Sequence, residues 1–392
     1  MKQFIYFKST IRSIGRLHSA LAVCLTTLGL GFSAAAEAPR RNFITSTPQA
    51  LAQVQYMAIE LGGRRVDEIS QSGQIVGNKN SEPGRFHAVF WPSSQSAPID
   101  LGTLLDFPTS SAQGMNPRRE IVGIAYSDDF SIELPLFWAS PNSAPVELPG
   151  LPDGLSGEAY DINPSGKIVG QFYSADFSVD QAVLWPSSNA APVYLPQLSE
   201  NLPLSGAAGI NASGSILGDS CAADLVECHA TFWATSTSTP VALPSPGGDF
   251  IYTDFILPGQ AINGAGNMVG FARNADFSAA RAVFWASSSS PPVILSTVGE
   301  FTNAIAAGIS ENGQIVGSAL NEDFSKERPF LWPSATSQGI DLTTFFPPDS
   351  DWDLDSMFAV SVNNRGEIGG GGFFKDGTRI QHSFLLIPVH GH

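Results

Sequence analysis

The stretch that decides the fold runs from Ala159 to Pro196 and reads AYDINPSGKIVGQFYSADFSVDQAVLWPSSNAAPVYLP. It contains four short apolar pieces separated by turn residues. The pieces are Ala159–Ile162, Lys167–Phe172, Gln181–Trp185 and Pro192–Pro196. Because each is only four to six residues long, the pattern predicts strands and not helices. One four-stranded sheet has two faces to cover, so this unit needs neighbours of its own kind.

The unit recurs along nearly the whole chain. A turn that usually begins with Asn, followed by a strand containing Gly, occurs at Ser70–Gly77, Met115–Gly123, Ile162–Gly170, Ile210–Gly218, Ile262–Gly270, Ile309–Gly317 and Val362–Gly370. The strand that ends in Trp occurs at Trp91, Trp138, Trp185, Trp233, Trp285 and Trp332, and Leu386 takes that place in the seventh unit. Self-similarity at such a period is the signature of a repeat architecture.

The two ends of the repeat region indicate a closed ring. Tyr56–Leu61 is a fourth-type strand with no first three before it, and the chain finishes after the third-type strand His382–Ile387. Pairing these ends would complete a seventh sheet, whereas an open solenoid would need capping repeats. The sequence therefore predicts an all-β β-propeller of seven four-stranded blades, closed by the N-terminal strand. Six blades is the alternative, because the last unit is the most degenerate.

The first 36 residues have the pattern of a secretory signal peptide. Four cations precede the apolar run Leu17–Ser33, and Ala34-Ala35-Ala36 suits cleavage after Ala36. An uncleaved membrane anchor and a lipoprotein signal at Cys24 are the alternatives. The remaining chain divides into a flexible tether at 37–55, one propeller domain at 56–388 and a C-terminal tail at 389–392. No later stretch has the roughly 20 apolar residues of a membrane span, so we expect a periplasmic or secreted protein.

Two cysteines remain after removal of the signal peptide. Cys221 and Cys228 flank the hairpin tip of the fourth unit, and a disulfide between them suits an oxidising compartment. Two free thiols are the alternative. Their spacing is not CxxC, so the expected role is to fasten the tip and not redox chemistry.

The composition is strongly acidic. The chain has a formal net charge of −16, and loss of the four signal-peptide cations leaves 16 Lys and Arg against 36 acids. Nucleic acid binding requires a basic surface, so this class of partner is excluded. An acidic surface suits solubility, calcium or a cationic partner.

Units of the form A-x-x-I-N-x-x-G-x-I-V-G, then H-A-x-F-W, then P-V-x-L, resemble the HAF-repeat family of exported bacterial proteins. His87–Trp91 and His229–Trp233 match the second signature most closely, and the similarity covers about residues 56–388. The resemblance implies an extracytoplasmic propeller-like domain without an established activity, so it assigns no catalytic residues. Arg119 stands at the turn glycine of the second unit, where we expect a different turn.

Two repeated aromatic features are candidates for ligand contacts. The strand-ending Trp residues could stack on sugars, but at a fixed position after apolar strands they are more typical of packing between blades. The hairpin tips carry an Asp-Phe-Ser motif, and on a propeller they would share a face with the loops between blades. The candidate ligand-binding residues are Asp129, Phe130, Asp176, Phe177, Asp276, Phe277, Asp323 and Phe324. The alternative is that Asp and Ser form the turn while Phe packs on the neighbouring hairpin.

Calcium is the one cofactor candidate in the sequence. Asp349, Asp351 and Asp353 alternate like the start of a calcium loop, but the distal bidentate acid of an EF-hand is missing. The motifs GxSxG, HExxH and Walker A are absent, so no catalytic residue is predicted. The sequence favours an exported, non-catalytic binding or surface-interaction propeller whose unknown ligand is a carbohydrate or a protein. A propeller hydrolase or lyase and a structural envelope protein are the alternatives.

Overall fold

The computed structural model describes residues 41–42, 55–176, 178–254 and 260–389. It confirms the predicted all-β fold, since seven antiparallel sheets, each with one four-stranded repeat unit, follow one another around a ring. In most pairs of neighbouring blades the innermost strands contact each other around the axis. The molecule is therefore a seven-bladed β-propeller, and the six-bladed alternative is wrong. Within the described residues, the one helical element is a 3₁₀ turn at Leu342–Phe345.

Blades are numbered 1 to 7 along the chain, and their strands are given from blade 1 to blade 7. The innermost strands are Arg65–Ile69, Thr109–Met115, Ser156–Ile162, Leu204–Ile210, Tyr252–Asp254, Phe301–Ile309 and Phe358–Val362. The second strands are Ile75–Glu82, Ile121–Tyr126, Ile168–Tyr173, Ile216–Cys221, Met268–Arg273, Ile315–Asn321 and Ile368–Phe373. The third strands are Arg85–Trp91, Glu133–Trp138, Asp180–Trp185, Cys228–Trp233, Ala280–Trp285, Glu327–Trp332 and Gln381–Val389. The outer strands are Ile99–Asp100, Val146–Glu147, Val193–Tyr194, Val241–Ala242, Val293–Ile294, Ile340–Asp341 and Gln55–Glu60.

The ring closes as the sequence predicts. The outer strand of blade 7, Gln55–Glu60, comes from the N-terminal side and pairs antiparallel with Gln381–Val389. A further pair of residues, Arg41–Asn42, adds to the free edge of Gln55–Glu60 as a fifth strand. The last blade is thus built from both ends of the repeat region, which joins the first and last units by main-chain hydrogen bonds.

A bulge in the innermost strand explains the glycine of the second strand. In blade 3 the register shifts between Ala159 and Asp161, opposite Gly170. A Cβ atom on Gly170 would lie 1.9 Å from the carbonyl oxygen of Glu158, so the close approach of the two strands requires glycine. The innermost strand also begins earlier than predicted, at Ser156, and the outer strand is only Val193–Tyr194.

The six strand-ending tryptophans are packing residues between blades. All are fully buried, and each indole N–H donates to a main-chain carbonyl just after the preceding outer strand. Trp185 Nε1, for example, is 2.9 Å from the carbonyl oxygen of Pro149. The surrounding core combines residues of adjacent blades, such as Val122 of blade 2 with Ile168 of blade 3. A sugar-stacking role for these tryptophans is therefore wrong.

The turn asparagines link one blade to the next. Asn163 is buried, and its Oδ1 accepts hydrogen bonds from the main-chain N–H of Ser165 and Lys167. Its Nδ2 donates to the carbonyl oxygen of Asn211, the equivalent residue of blade 4, at 3.1 Å. The side chains of four other turn asparagines also donate to a carbonyl oxygen of the next blade: Asn116, Asn211, Asn263 and Asn363. One asparagine therefore both forms the turn and joins two blades.

The second unit has the same turn as the others, so the prediction of a different turn at Arg119 is wrong. Arg119 adopts a φ of 63°, in the left-handed region that Gly166 occupies in blade 3. Its N–H donates to the carbonyl oxygen of Asn116 at 2.9 Å, as Gly166 does to Asn163. Asn116 holds the turn through its side-chain oxygen, which offsets the cost of an arginine in this conformation.

Candidate functional site

The antiparallel strand order places two kinds of loop at each face of the ring. Connections from the second to the third strand share one face with the connections between blades, and this face is called the tip face here. The turns from the first to the second strand share the opposite face, the turn face, with the connections from the third to the outer strand. The Asp-Phe-Ser tips therefore lie on the tip face, as predicted from the sequence.

Exposed charge is distributed very unequally between the two faces. The exposed acids of the tip-face loops are Glu82, Asp106, Asp128, Asp129, Asp153, Asp176, Glu200, Asp224, Glu227, Asp249, Asp276, Glu300, Glu322, Asp323, Asp349, Asp351 and Asp376. The exposed or half-buried cations of the same loops are Lys79, Arg85, Lys326, Lys375 and Arg379. The excess of carboxylates makes the tip face strongly anionic.

The turn face is close to neutral. Its charged residues are Arg118, Arg119, Glu120, Lys167, Glu311, Arg365 and Glu367. The six connections from the third to the outer strand, at 92–98, 139–145, 186–192, 234–240, 286–292 and 333–339, consist of uncharged residues. The net negative charge of the chain thus belongs largely to one face of the propeller.

The aspartates of the tips are fully exposed and stabilise the turn from within. Asp129 Oδ1 accepts hydrogen bonds from Ser131 N–H at 3.0 Å, Ser131 Oγ at 2.6 Å and Ser127 Oγ at 2.8 Å. The Ser131 hydroxyl, followed by its N–H and the Ser127 hydroxyl, lowers the pKa of Asp129 to about 2. Asp176 has the same arrangement and a pKa of about 2, and serine hydrogen bonds also lower the pKa of Asp276 and Asp323. These carboxylates therefore remain charged in mildly acidic solution.

The phenylalanines of the tips fold back toward their blades. Phe130, Phe277 and Phe324 have φ values of 58°, 62° and 59°, a left-handed conformation that costs a bulky residue about 1–2 kcal/mol. Phe277 is 9% exposed and lies under the guanidinium of Arg273, 3.8 Å from its ring centre. Phe130 is half-buried, with its ring 5.7 Å from that of Tyr126. Phe177 lies outside the described residues, and the binding role of all these tips stays a prediction.

The tip of blade 4 is held by the predicted disulfide. Cys221 and Cys228 face each other in the hairpin register and are covalently joined. The loop that they close supplies the carbonyl oxygen of Val226, which accepts a hydrogen bond from Arg273 Nη2 of blade 5 at 2.8 Å. The disulfide thus fixes a main-chain acceptor that joins two neighbouring tips.

The aspartate run before blade 7 serves the local fold through its main chain. Asp353 N–H donates to the carbonyl oxygen of Phe373 at 2.8 Å, and Lys375 N–H donates to that of Asp351 at 2.7 Å, while Asp349 is exposed. In the part of the chain that the structure describes, no three His, Cys, Asp or Glu side chains are placed to hold a metal ion. A calcium role for Asp349, Asp351 and Asp353 stays a prediction.

A second polar cluster, near the axis, was not anticipated from the sequence. Glu68 of blade 1 and Asp161 of blade 3 occupy the bulge of the innermost strand, and both accept main-chain hydrogen bonds from the following blade. Burial raises the pKa of Glu68 to about 8 and that of Asp161 to about 7, the charge of Asp161 being the second cause for Glu68. The sequence does contain a signal for this cluster, because the other blades have Gly, Ala or Ser at the repeat position of these two acids.

Comparisons with known proteins identify the fold and no more. No family model matches the chain, and no curated protein matches it. A solved oligogalacturonate lyase in complex with manganese has a TM-score of 0.52 and 8% identity, covering 90% of this chain and 99% of that one. YCF48 bound to a D1 peptide has a TM-score of 0.49 and 12% identity, covering 87% and 97% of the two chains. Identities this low show a shared fold alone.

Proposed function

We propose that this protein is an exported, non-catalytic binding propeller that docks a cationic partner on its tip face. The observation that carries the proposal is the unequal charge of the two faces. Exposed carboxylates crowd the tip face, whereas the turn face has nearly balanced charge. A surface with one sign of charge attracts oppositely charged partners and accelerates their association.

The electrostatics favour a basic polypeptide over a polysaccharide as the partner. Neutral sugars gain little from a field of carboxylates, and acidic sugars are repelled by it. Asp129 and Asp176 keep their charge in mildly acidic solution because hydrogen bonds lower their pKa to about 2. The folded-back position of Phe130 and Phe277 supports attraction by charge and not stacking on aromatic rings.

Two features support a location outside the cytoplasm. The N-terminal 36 residues have the pattern of a cleaved signal peptide, and they lie outside the described residues. The Cys221–Cys228 disulfide is typical of an oxidising compartment. Among the residues that the structure describes, no helix is long and apolar enough to cross a membrane.

Binding to a basic probe at several salt concentrations tests the proposal. The probe is poly-lysine immobilised on a sensor surface, and the protein is the chain from residue 37 to 392. The test variant replaces the four tip aspartates by Asn, which keeps a side-chain oxygen for the turn serines: Asp129→Asn, Asp176→Asn, Asp276→Asn and Asp323→Asn. The matched control makes the same change of net charge on the turn face, through Ser94→Lys, Ser188→Lys, Thr237→Lys and Ser289→Lys.

We expect the tip variant to bind about tenfold more weakly and the control to bind nearly as the parent does, with an affinity that falls as salt rises. Equal losses in both variants would mean that only total charge matters and would remove the tip face as the docking surface. No salt-sensitive binding of the parent would reject the proposed function itself. A melting temperature equal to that of the parent confirms that each variant retains the fold.

A further inference from the structure

The innermost strands present a row of main-chain N–H groups at their bulges. In six blades the innermost strand has a register shift, and the N–H of the residue that follows it bonds outside the strand's own ladder. Polar groups near the axis, most of them in the preceding blade, accept these hydrogen bonds. The N–H groups with a recorded acceptor of this kind are those of Ile69, Met115, Ile162, Ile210, Ile309 and Val362.

Two carboxylic acids supply three of these acceptors. Glu68 Oε2 lies 2.6 Å from the N–H nitrogen of Met115, which joins blade 1 to blade 2. Asp161 Oδ2 lies 2.8 Å from the nitrogen of Ile210, which joins blade 3 to blade 4, and its Oδ1 accepts from Ile162 at 2.7 Å. Each acid therefore crosses an interface between blades at the centre of the ring.

Neutral groups supply the other acceptors. Ser361 Oγ accepts from Ile69 N–H at 2.9 Å and donates to Gln260 Oε1. Gln260 Oε1 also accepts from Val362 N–H, and its Nε2 donates to the carbonyl oxygen of Ile69 at 3.1 Å. Gln260 belongs to blade 5 and so contacts blades 7 and 1, which places these groups together at the axis. Serine and glutamine show that the N–H groups need an acceptor but not a charge.

A glycine between the two acids makes room for them. Blade 2 lies between blades 1 and 3, and its bulge residue is Gly114. A Cβ atom there would lie 2.8 Å from the carbonyl oxygen of Tyr160 and 3.4 Å from Asp161 Oδ1. The missing side chain leaves open the space beside Asp161, whose charge raises the pKa of Glu68.

The charges around the pair do not neutralise it. The other groups that act on Glu68 are the N–H of Met115 and the amide of Gln260, and those that act on Asp161 are the N–H groups of Ile210 and Ile162. On the strand of Glu68, Asp67 is ion-paired with Arg65, and just before this strand the guanidinium of Arg64 lies 4.4 Å above the ring of Phe86. The cations of this strand are therefore engaged elsewhere, and two ionised acids would repel each other in a buried site.

We propose that Glu68 and Asp161 form a pH-sensitive lock on the propeller axis, which holds the ring firmly while the pair keeps a proton and weakens it when both acids ionise. This lock does not depend on the partner that the tip face binds. It gives the two interfaces that the acids cross, blade 1 with blade 2 and blade 3 with blade 4, a strength that depends on the pH of the surroundings.

The direction of the effect follows from the raised pKa values. In the unfolded chain Glu68 and Asp161 lose their protons near their ordinary pKa values of 4.5 and 3.8, whereas in the fold they keep them to about 8 and about 7. Between these limits the folded state binds more protons than the unfolded state, so stability falls as pH rises. The contribution is fully present below pH 4 and is lost above about pH 8.

The test compares the pH dependence of stability in a set of variants. Denaturant midpoints are measured from pH 5 to 9 for the parent, Glu68→Gln, Asp161→Asn and the double variant. The matched control is Glu327→Gln, because burial raises the pKa of Glu327 in blade 6 to about 7, away from the axial pair. The slope with pH is the readout, since a purely structural change shifts the midpoint at every pH alike.

We expect Glu68→Gln to flatten the slope, and we expect the effects of Glu68→Gln and Asp161→Asn to be non-additive because either change removes the repulsion. The effects of Glu68→Gln and Glu327→Gln should add. Additive effects within the axial pair, or a slope in Glu68→Gln as steep as in the parent, would overturn the lock. If a variant does not fold, infrared titration of the parent decides: loss of all protonated buried carboxyl signal below pH 6 also overturns it.

Discussion

The change Asn163→Asp tests whether the turn asparagines join the blades. Aspartate keeps the side-chain oxygen that accepts from Ser165 N–H at 3.1 Å and Lys167 N–H at 3.0 Å. It replaces the nitrogen that donates to the carbonyl oxygen of Asn211 at 3.1 Å by a second oxygen. The turn within blade 3 is therefore retained, while the bond to blade 4 is lost and two oxygens face each other.

The expected loss follows from the burial of the site. Asn163 is 2% exposed, so the Asn211 carbonyl loses its donor in a site with little access to water, which costs about 1–3 kcal/mol. Asn163→Ala removes the turn acceptor as well, and we expect about 2–4 kcal/mol. Blade 6 offers a control, because Ser310 forms the turn there by accepting from Gln314 N–H at 3.0 Å. Ser310→Ala removes this bond and the one that Ser310 Oγ donates to Asn312 Oδ1, both within the turn, and should cost about 1 kcal/mol.

Equilibrium unfolding in denaturant measures these differences, provided that all variants have the same m value. The free energies of unfolding should fall in the order parent, Ser310→Ala, Asn163→Asp, Asn163→Ala. If Asn163→Asp is as stable as the parent within about 0.5 kcal/mol, the bond between blades contributes nothing and the asparagine only forms its turn. The same outcome would make the repeated asparagine a local feature and not part of the ring.

Two further predictions concern closure and the disulfide. Starting the chain at residue 62 removes the outer strand of blade 7, so we expect no cooperative unfolding transition, whereas a chain starting at residue 55 should melt like the parent. Restoration by an added peptide of residues 55–61 would show that the strand acts as a clasp, and a chain from 62 that melts normally would contradict closure. Cys221→Ser with Cys228→Ser should lower stability by about 2–3 kcal/mol for so short a loop. Free-thiol labelling of both cysteines in the native, oxidised protein would contradict the disulfide.

The repeat made the architecture predictable, because residues with the same structural role recur at fixed positions. The buried Trp185, the turn Asn163 and the glycine at Gly170 have equivalents in nearly every blade, so their pattern predicts the blade count and the closing strand. The orientation of single side chains was not accessible in this way. Whether Phe277 faces solvent or packs under Arg273 depends on a neighbouring strand, and a single sequence does not specify that contact.

The axial acids were not predicted, because the repeat pattern points to residues that recur and these two do not. Glu68 and Asp161 stand where other blades have small residues such as Gly114 and Ser361. In a repeat protein such a departure is informative, since a buried acid is costly and the neighbouring blades show that the fold does without it. The comparison of blades within one chain thus serves the purpose that an alignment of related chains would serve.

The repeats also indicate which features of this ring are available for function. Residues that recur in the blades are already engaged by the fold: Trp185 packs between blades and bonds a carbonyl, Asn163 links two turns, and Asp129 holds its own hairpin. The charge of the tip carboxylates remains available for binding. Asp129 and Asp176 each accept their turn hydrogen bonds through one oxygen and remain fully exposed. A partner that reads charge can therefore bind this face without disturbing the propeller. A partner that needs the rings of Phe130 or Phe277 would first have to pull them out of their packing, at the expense of the hairpins that present the charge.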